Sequence, residues 1–168
     1  MKKVLLAIDG ITPDQQVFRY AIQLCKRLKA ELSVFQIINP RNYAEYLKKM
    51  RKSAGYARWY FENAMVAATF AEAGEHETAR EIMSEGLKNI GRLLPESEKE
   101  GVPCHFSLKS GAPDKEIIDY VNANRDVVLT IFDSPVKGRQ GSGATEKASP
   151  MLRKIQEALY IPLVVMRN

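Results

Sequence analysis

Cysteine is scarce in this sequence. Cys25 and Cys104 are the only two among 168 residues, each alone in an apolar setting. That spacing argues against a disulfide or thiolate metal site, and both thiols are expected to pack as small hydrophobes. Histidine is equally rare: His76 and His105 lack ligand spacing, so no metal site is expected and neither is assigned chemistry. No apolar run approaches the roughly 20 residues that a bilayer span needs. After Lys2 and Lys3 only five apolar residues precede Asp9, too few for a signal-peptide core, so a cytoplasmic protein is expected. Neither a Walker A sequence nor a GxGxxG dinucleotide fingerprint occurs. The formal charge of +5 tolerates anionic partners without requiring nucleic acid. The length suits one well-cored domain, residues 1–168.

The most informative stretch runs from Asp126 to Gly143, where an apolar run ends in a segment crowded with glycine, proline and serine. Such a run fits a strand buried on both faces, as in a parallel sheet. Ligands of open parallel sheets bind beyond the carboxyl ends of the strands, where the loop holding Gly138, Gly141, Ser142 and Gly143 is then expected. Lys137, Arg139 and Lys147 make it basic, and glycines let backbone amides approach an anion closely. A flexible surface loop is the alternative.

Taken in order, Lys3 to Ile8 reads as a central strand closed by Asp9 and Gly10. From Pro13 to Leu28 the apolar positions recur at three and four, an amphipathic helix with Thr12 as cap. Glu31 to Ile38 is the second strand. From Tyr43 to Ala71 a heptad stripe predicts one long helix, with a turn at Gly74 and a second helix carrying Ala79, Met83, Gly86, Ile90 and Leu93. Together they read as an antiparallel helical hairpin, interrupted at Pro95 and stopped by Gly101. Val102 to Leu108 is a third strand near an edge, Pro113 starts a helix, and Ser149 and Pro150 start another that leads into a last strand, Ile161 to Met166. Strands alternating with helices place the chain in the α/β class, with a parallel sheet covered on both faces.

VLLAIDG at the start, Gly111 to Pro113 before a helix, DVVLTI, the glycine loop and a closing helix into IPLVV together resemble the universal stress protein family. The likeness covers nearly the whole chain except about Arg41 to Ala73, residues 41–73, which looks like an enlarged helical insertion. It implies an open five-stranded, Rossmann-like fold of the nucleotide-binding α-hydrolase type, often dimerising through its last strand. In many members it also implies ATP or AMP binding, with the aspartate that ends the first strand, here Asp9, contacting the nucleoside. The phosphate loop departs from the family pattern of G, two residues, G, nine residues, then G with Ser or Thr. Gly138 and Gly141 match the first pair, but nine further residues reach Met151 and Leu152. Where the family follows its fourth strand with Met-Gly and Ser or Thr, this chain has Thr130, Ile131, Phe132 and Asp133. Asp133 would repel a triphosphate that it faced. Ser149 and the free amides of the closing helix remain able to hold one phosphate.

The first functional expectation is a stress-response regulator that binds an adenine nucleotide, with magnesium only if the ligand is ATP. Its candidate contacts are Asp9, Gly10, Phe35, Gln36, Ile37, Gly111, Lys137, Gly138, Arg139, Gly141, Ser142, Gly143 and Ser149. Asp9 reads equally as a strand-end turn with Gly10. The alternative is a dimeric interaction module without nucleotide, built on the hairpin and the last strand and docking a protein partner. An ATPase would need a group that positions water beside a metal-bound triphosphate, and no such set is identified. Arg41 to Phe61 mixes basic and aromatic residues, a composition compatible with nucleic acid or a membrane surface. A solvated helix face with snorkelling lysines is the reading preferred there.

Overall fold

The computed structural model describes residues 1–51, 74–134 and 150–167. Five strands form one parallel sheet in the order β3-β2-β1-β4-β5. They are β1 (Lys3–Asp9), β2 (Glu31–Ile38), β3 (Cys104–Ser110), β4 (Val127–Ser134) and β5 (Leu163–Arg167). The helices are α1 (Gln15–Leu28), α2 (Tyr43–Arg51), α3 (Gly74–Gly91), α4 (Leu94–Lys99), α5 (Pro113–Ala123) and α6 (Pro150–Ala158). A short 3-10 turn, Pro40–Asn42, leads from β2 into α2.

The unbroken apolar runs of β1 and β2 put side chains on both faces, and each face meets its own helices. On one side Val4, Leu6, Ile8, Leu32, Val34 and Ile131 pack with Phe18, Ile22 and Cys25 of α1 and Ile90 of α3. On the other, Leu5, Ala7, Ile37 and Phe132 pack with Ile117 and Val121 of α5 and Leu152 and Ile155 of α6. A third cluster joins Ile11, Ile38, Tyr46, Met50 and Ile82, bringing α2 and α3 together at the carboxyl ends of β1 and β2. The expected α/β class and edge position of β3 agree with this architecture. Both cysteines are free, and burial pushes the Cys25 thiol up to about 12, with the nearby Cys104 adding to it.

Several local expectations are corrected. The cap of α1 is Asp14 rather than Thr12: the Val17 N–H donates to Asp14 Oδ1 at 2.9 Å, the three-residue reach of a capping carboxylate. Gly74, where a turn was expected, is helical and is the first described residue of α3. Pro95 does interrupt the helical run, but as part of the first turn of a new helix, α4, where its missing N–H costs nothing. β3 begins two residues later than expected, at Cys104: the Pro103 carbonyl still accepts the Leu32 N–H at 2.9 Å, but Pro103 has no N–H to return, and the paired register starts one residue on. β5 likewise begins at Leu163, after Pro162. Of the proposed long helix from Tyr43 to Ala71, residues 43–51 are helical and 52–71 lie outside the described residues.

Candidate functional site

β1 lies beside both β2 and β4, and the chain runs outward from it in opposite directions, to β2 and β3 on one side and to β4 and β5 on the other. In an open parallel sheet this reversal leaves a crevice beyond the carboxyl ends of the central strands. Ile8 is paired with Asp133 and Asp9 with Ile37, so Asp9, Gly10, Ile37 and Asp133 converge at that edge.

Gly10 makes the turn out of β1. Its φ of 116° is one that side-chain-bearing residues rarely adopt. The turn is fixed by two hydrogen bonds: the Gly10 N–H donates to the Ile37 carbonyl at 3.0 Å, and Gln36 Nε2 donates to the Gly10 carbonyl at 2.8 Å. Gln36 is fully buried, and the space for its amide comes from Gly86 of α3, where a Cβ would lie 3.2 Å from Nε2. Further along, Asn89 Nδ2 donates to the Ile11 carbonyl at 2.8 Å, tying α3 to the same loop. Tyr46 comes from α2, its ring edge 3.6 Å from the Cβ position of Gly10, and its hydroxyl accepts the Asn39 N–H at 3.3 Å. Burial raises the Tyr46 phenol above its ordinary range, and the charge of Asp9 adds to the shift.

On the β4 side Asp133 is 6% exposed. Its Oδ2 accepts the Asp14 N–H at 3.1 Å, at the head of α1. Burial raises the Asp133 carboxyl above its ordinary 3.8, the Asp14 carboxylate adds to that rise, and the Asp14 N–H opposes it. Just above 3.8, therefore, the folded chain holds a proton that the unfolded chain releases. Stability from this group is gained as pH falls through the raised value and lost as pH rises through it. Asp133→Asn keeps an oxygen for the Asp14 N–H and removes the buried charge. At neutral pH this substitution is expected to stabilise by about 1 kcal/mol, or about 2–4 °C. The gap to wild type should narrow in mild acid, read by thermal melts at several pH values; an unchanged gap would refute the assignment.

Of the residues singled out from sequence, Asp9, Gly10, Gln36 and Ile37 lie at this edge. Gly111 joins them from the end of β3, its N–H donating to the Ile38 carbonyl at 3.0 Å. Any Cβ at Gly111 would come within 2.6 Å of Glu116 Oε1, because the Glu116 side chain folds across it to reach Lys109 Nζ at 2.6 Å. Phe35 is set back from the edge, stacked on Tyr120 of α5 with ring centroids 4.8 Å apart. Lys137, Gly138, Arg139, Gly141, Ser142, Gly143 and Ser149 lie outside the described residues. Asp14, Tyr46 and Asn89 were not expected here. Only Asp14 carried a signal, an acid three residues before the first inward apolar residue, Val17. Among the described residues no group of three or more His, Cys, Asp or Glu is arranged to hold a metal ion, and no helix is long and apolar enough to cross a membrane.

Residues 1–130 match the family model described as Universal stress protein family. The chain belongs to the universal stress protein family. The match runs from β1 into β4 and stops short of Asp133 and the glycine loop. No curated relative matches at the level of sequence. Among solved structures, the hypothetical protein MJ0577, described as a test case for structure-based assignment of biochemical function, superposes with a TM-score of 0.63 at 16% identity. That likeness covers 99% of this chain and 96% of the other. A universal stress protein from Archaeoglobus fulgidus in complex with dAMP gives a TM-score of 0.50 at 14% identity, covering 98% and 97%. A universal stress protein family protein from Arabidopsis thaliana with AMP bound gives 0.51 at 14%, covering 100% and 92%. At identities this low the superpositions show a shared fold alone.

Proposed function

We propose that this universal stress protein is a stress-response regulator that binds an adenine nucleotide, AMP or ATP, at the carboxyl edge of its sheet and switches by binding it. The observation that carries this reading is the reversal of strand order at β1, which brings Asp9 and Gly10 beside the carboxyl end of β4, the edge at which open parallel sheets bind ligands. Two structural relatives, named with dAMP and with AMP, support the ligand class. Asp9 takes the nucleoside, and the basic glycine loop beyond β4, Lys137 to Gly143, takes phosphate. Magnesium enters only with ATP.

Calorimetric titration of nucleotide-free protein with ATP, ADP and AMP, with and without magnesium, tests the reading. Binding at about micromolar strength is expected, and Asp9→Ala should weaken it at least about tenfold, the loss of one charge-assisted hydrogen bond. An absence of heat and of thermal shift with all three nucleotides would refute it. The third cluster favours a second reading, because α2 and α3 build a helical layer over the ends of β1 and β2. In that reading the layer and β5 make a homodimer or dock a protein partner. Its mark is a dimer that Asp9→Ala leaves intact and that needs no nucleotide.

A further inference from the structure

Three consecutive peptide groups beyond Asp9 are each held from outside the loop. The Gly10 N–H donates to the Ile37 carbonyl at 3.0 Å, Gln36 Nε2 donates to the Gly10 carbonyl at 2.8 Å, and Asn89 Nδ2 donates to the Ile11 carbonyl at 2.8 Å. Glycine leaves the backbone freer than any other residue would, so these bonds decide where the end of β1 and its carboxylate stand. Gln36 is 0% exposed, which leaves its amide no surface for a ligand. Among the described residues its Oε1 has no hydrogen-bond partner. A buried oxygen without a partner costs free energy, and an apolar side chain of the same length would fill the space without that cost. The helix α3 also gives up a side chain there: a Cβ on Gly86 would lie 3.2 Å from Nε2 and 3.3 Å from Oε1, and glycine weakens a helix interior. Packing therefore does not account for this amide, whereas its bond to the Gly10 carbonyl does.

We propose that Gln36, together with Asn89, is a positioning residue: it does not touch the nucleotide but holds the Gly10 turn so that Asp9 is set for the nucleoside before the ligand arrives. The proposal rests on the adenine-nucleotide reading above and deepens it, moving Gln36 from the candidate contacts to the support behind Asp9. The gain is preorganisation, since a turn already fixed loses less freedom when a ligand binds. It also makes α3 part of that support, because Asn89 comes from this helix and Gly86 leaves room for the Gln36 amide.

The experiment is calorimetric titration of AMP and of ATP into wild type, Gln36→Met, Asp9→Ala and the double variant, each first checked for a cooperative thermal melt. Methionine keeps the length of the side chain and lacks the donor. Gln36→Met is expected to weaken the nucleotide that wild type binds by about threefold to tenfold, the worth of one hydrogen bond. In the Asp9→Ala background the same change should cost less than about twofold, because a residue that acts through Asp9 has nothing left to position. Unchanged affinity in Gln36→Met, or equal losses in both backgrounds, would overturn the positioning role while nucleotide binding stands. If wild type binds neither AMP nor ATP, the nucleotide reading falls and this proposal with it. Should Gln36→Met fail to fold, Asn89→Ala, at a half-buried position, takes its place in the cycle and the same outcomes decide.

Discussion

Gly10→Val is expected to destabilise the protein by about 2–3 kcal/mol, lowering the melting temperature by about 5–10 °C. Most of that cost lies in the backbone. At φ 116° a Cβ collides with the residue's own neighbouring peptide groups, whatever space surrounds it. The Cβ position itself is in ordinary contact with Tyr46, at 3.6 Å, so alanine adds no external clash and valine adds only its two methyls pressing on the ring. Gly10→Ala should therefore show most of the loss. Gly91→Ala is the matched control: a Cβ there meets nothing within 4 Å and φ is not positive, so it should be neutral or slightly stabilising. Thermal melts of the three variants check this, and an alanine at Gly10 as stable as wild type would show that the turn relaxes. Because the Gly10 carbonyl and N–H both anchor to β2, a shifted turn would also displace Asp9 and weaken any ligand held there.

Phe132→Ala is expected to cost about 3–5 kcal/mol, with a fall in melting temperature of about 8–20 °C. Phe132 is 1% exposed and sits on the face of β4 that meets Ile117, Leu152 and Ile155, so truncation leaves a cavity between the sheet and two helices. Those helices are also linked by Lys154 Nζ and Asp114 Oδ2 at 3.2 Å, a pair whose lysine is exposed and which is worth little against such a cavity. Urea unfolding should show a lower midpoint with an unchanged slope. Phe132→Leu, which keeps most of the volume, should lose less than about half as much. Equal losses for alanine and leucine would mean that ring shape, not volume, holds the layer.

The sheet could be read from sequence because its central strands are buried on both faces. Runs such as VLLAI and VFQII carry that signal without any knowledge of the partners. The caps and edges were harder to read. Thr12 and Asp14 both suit a cap, and only the fold shows that Asp14, two residues on, reaches Val17. Pro103 and Pro162 stand just before the first paired residues of β3 and β5: each accepts a neighbouring strand's N–H through its carbonyl but has none to give, so the paired register starts one residue on, at a point that hydropathy does not mark. At the site, Asp9 and Gly10 stood out as the polar end of an apolar run. Asp133 was visible as an acid after β4, but its hydrogen bond spans 119 positions to Asp14, a separation that no local pattern encodes. Tyr46 lay one position outside the Tyr43, Leu47, Met50 stripe and yet is 4% exposed, because the carboxyl ends of β1 and β2 face it.

The placement of β1 at the centre of the sheet also shapes how the chain must be made. It is the first strand to be synthesised, yet one of its two ladders is with β4, running from Lys3 opposite Val127 to Ile8 opposite Asp133. At the roughly 5–20 residues per second of translation, about 6–25 s separate the appearance of these two strands. Throughout that interval β1 carries an open, apolar edge of unpaired backbone groups, the kind of surface that recruits chaperones or pairs with another nascent chain. Arrest of synthesis before β4 would leave that edge permanently uncovered, so the hazard of a truncated product lies at β1, far from the break.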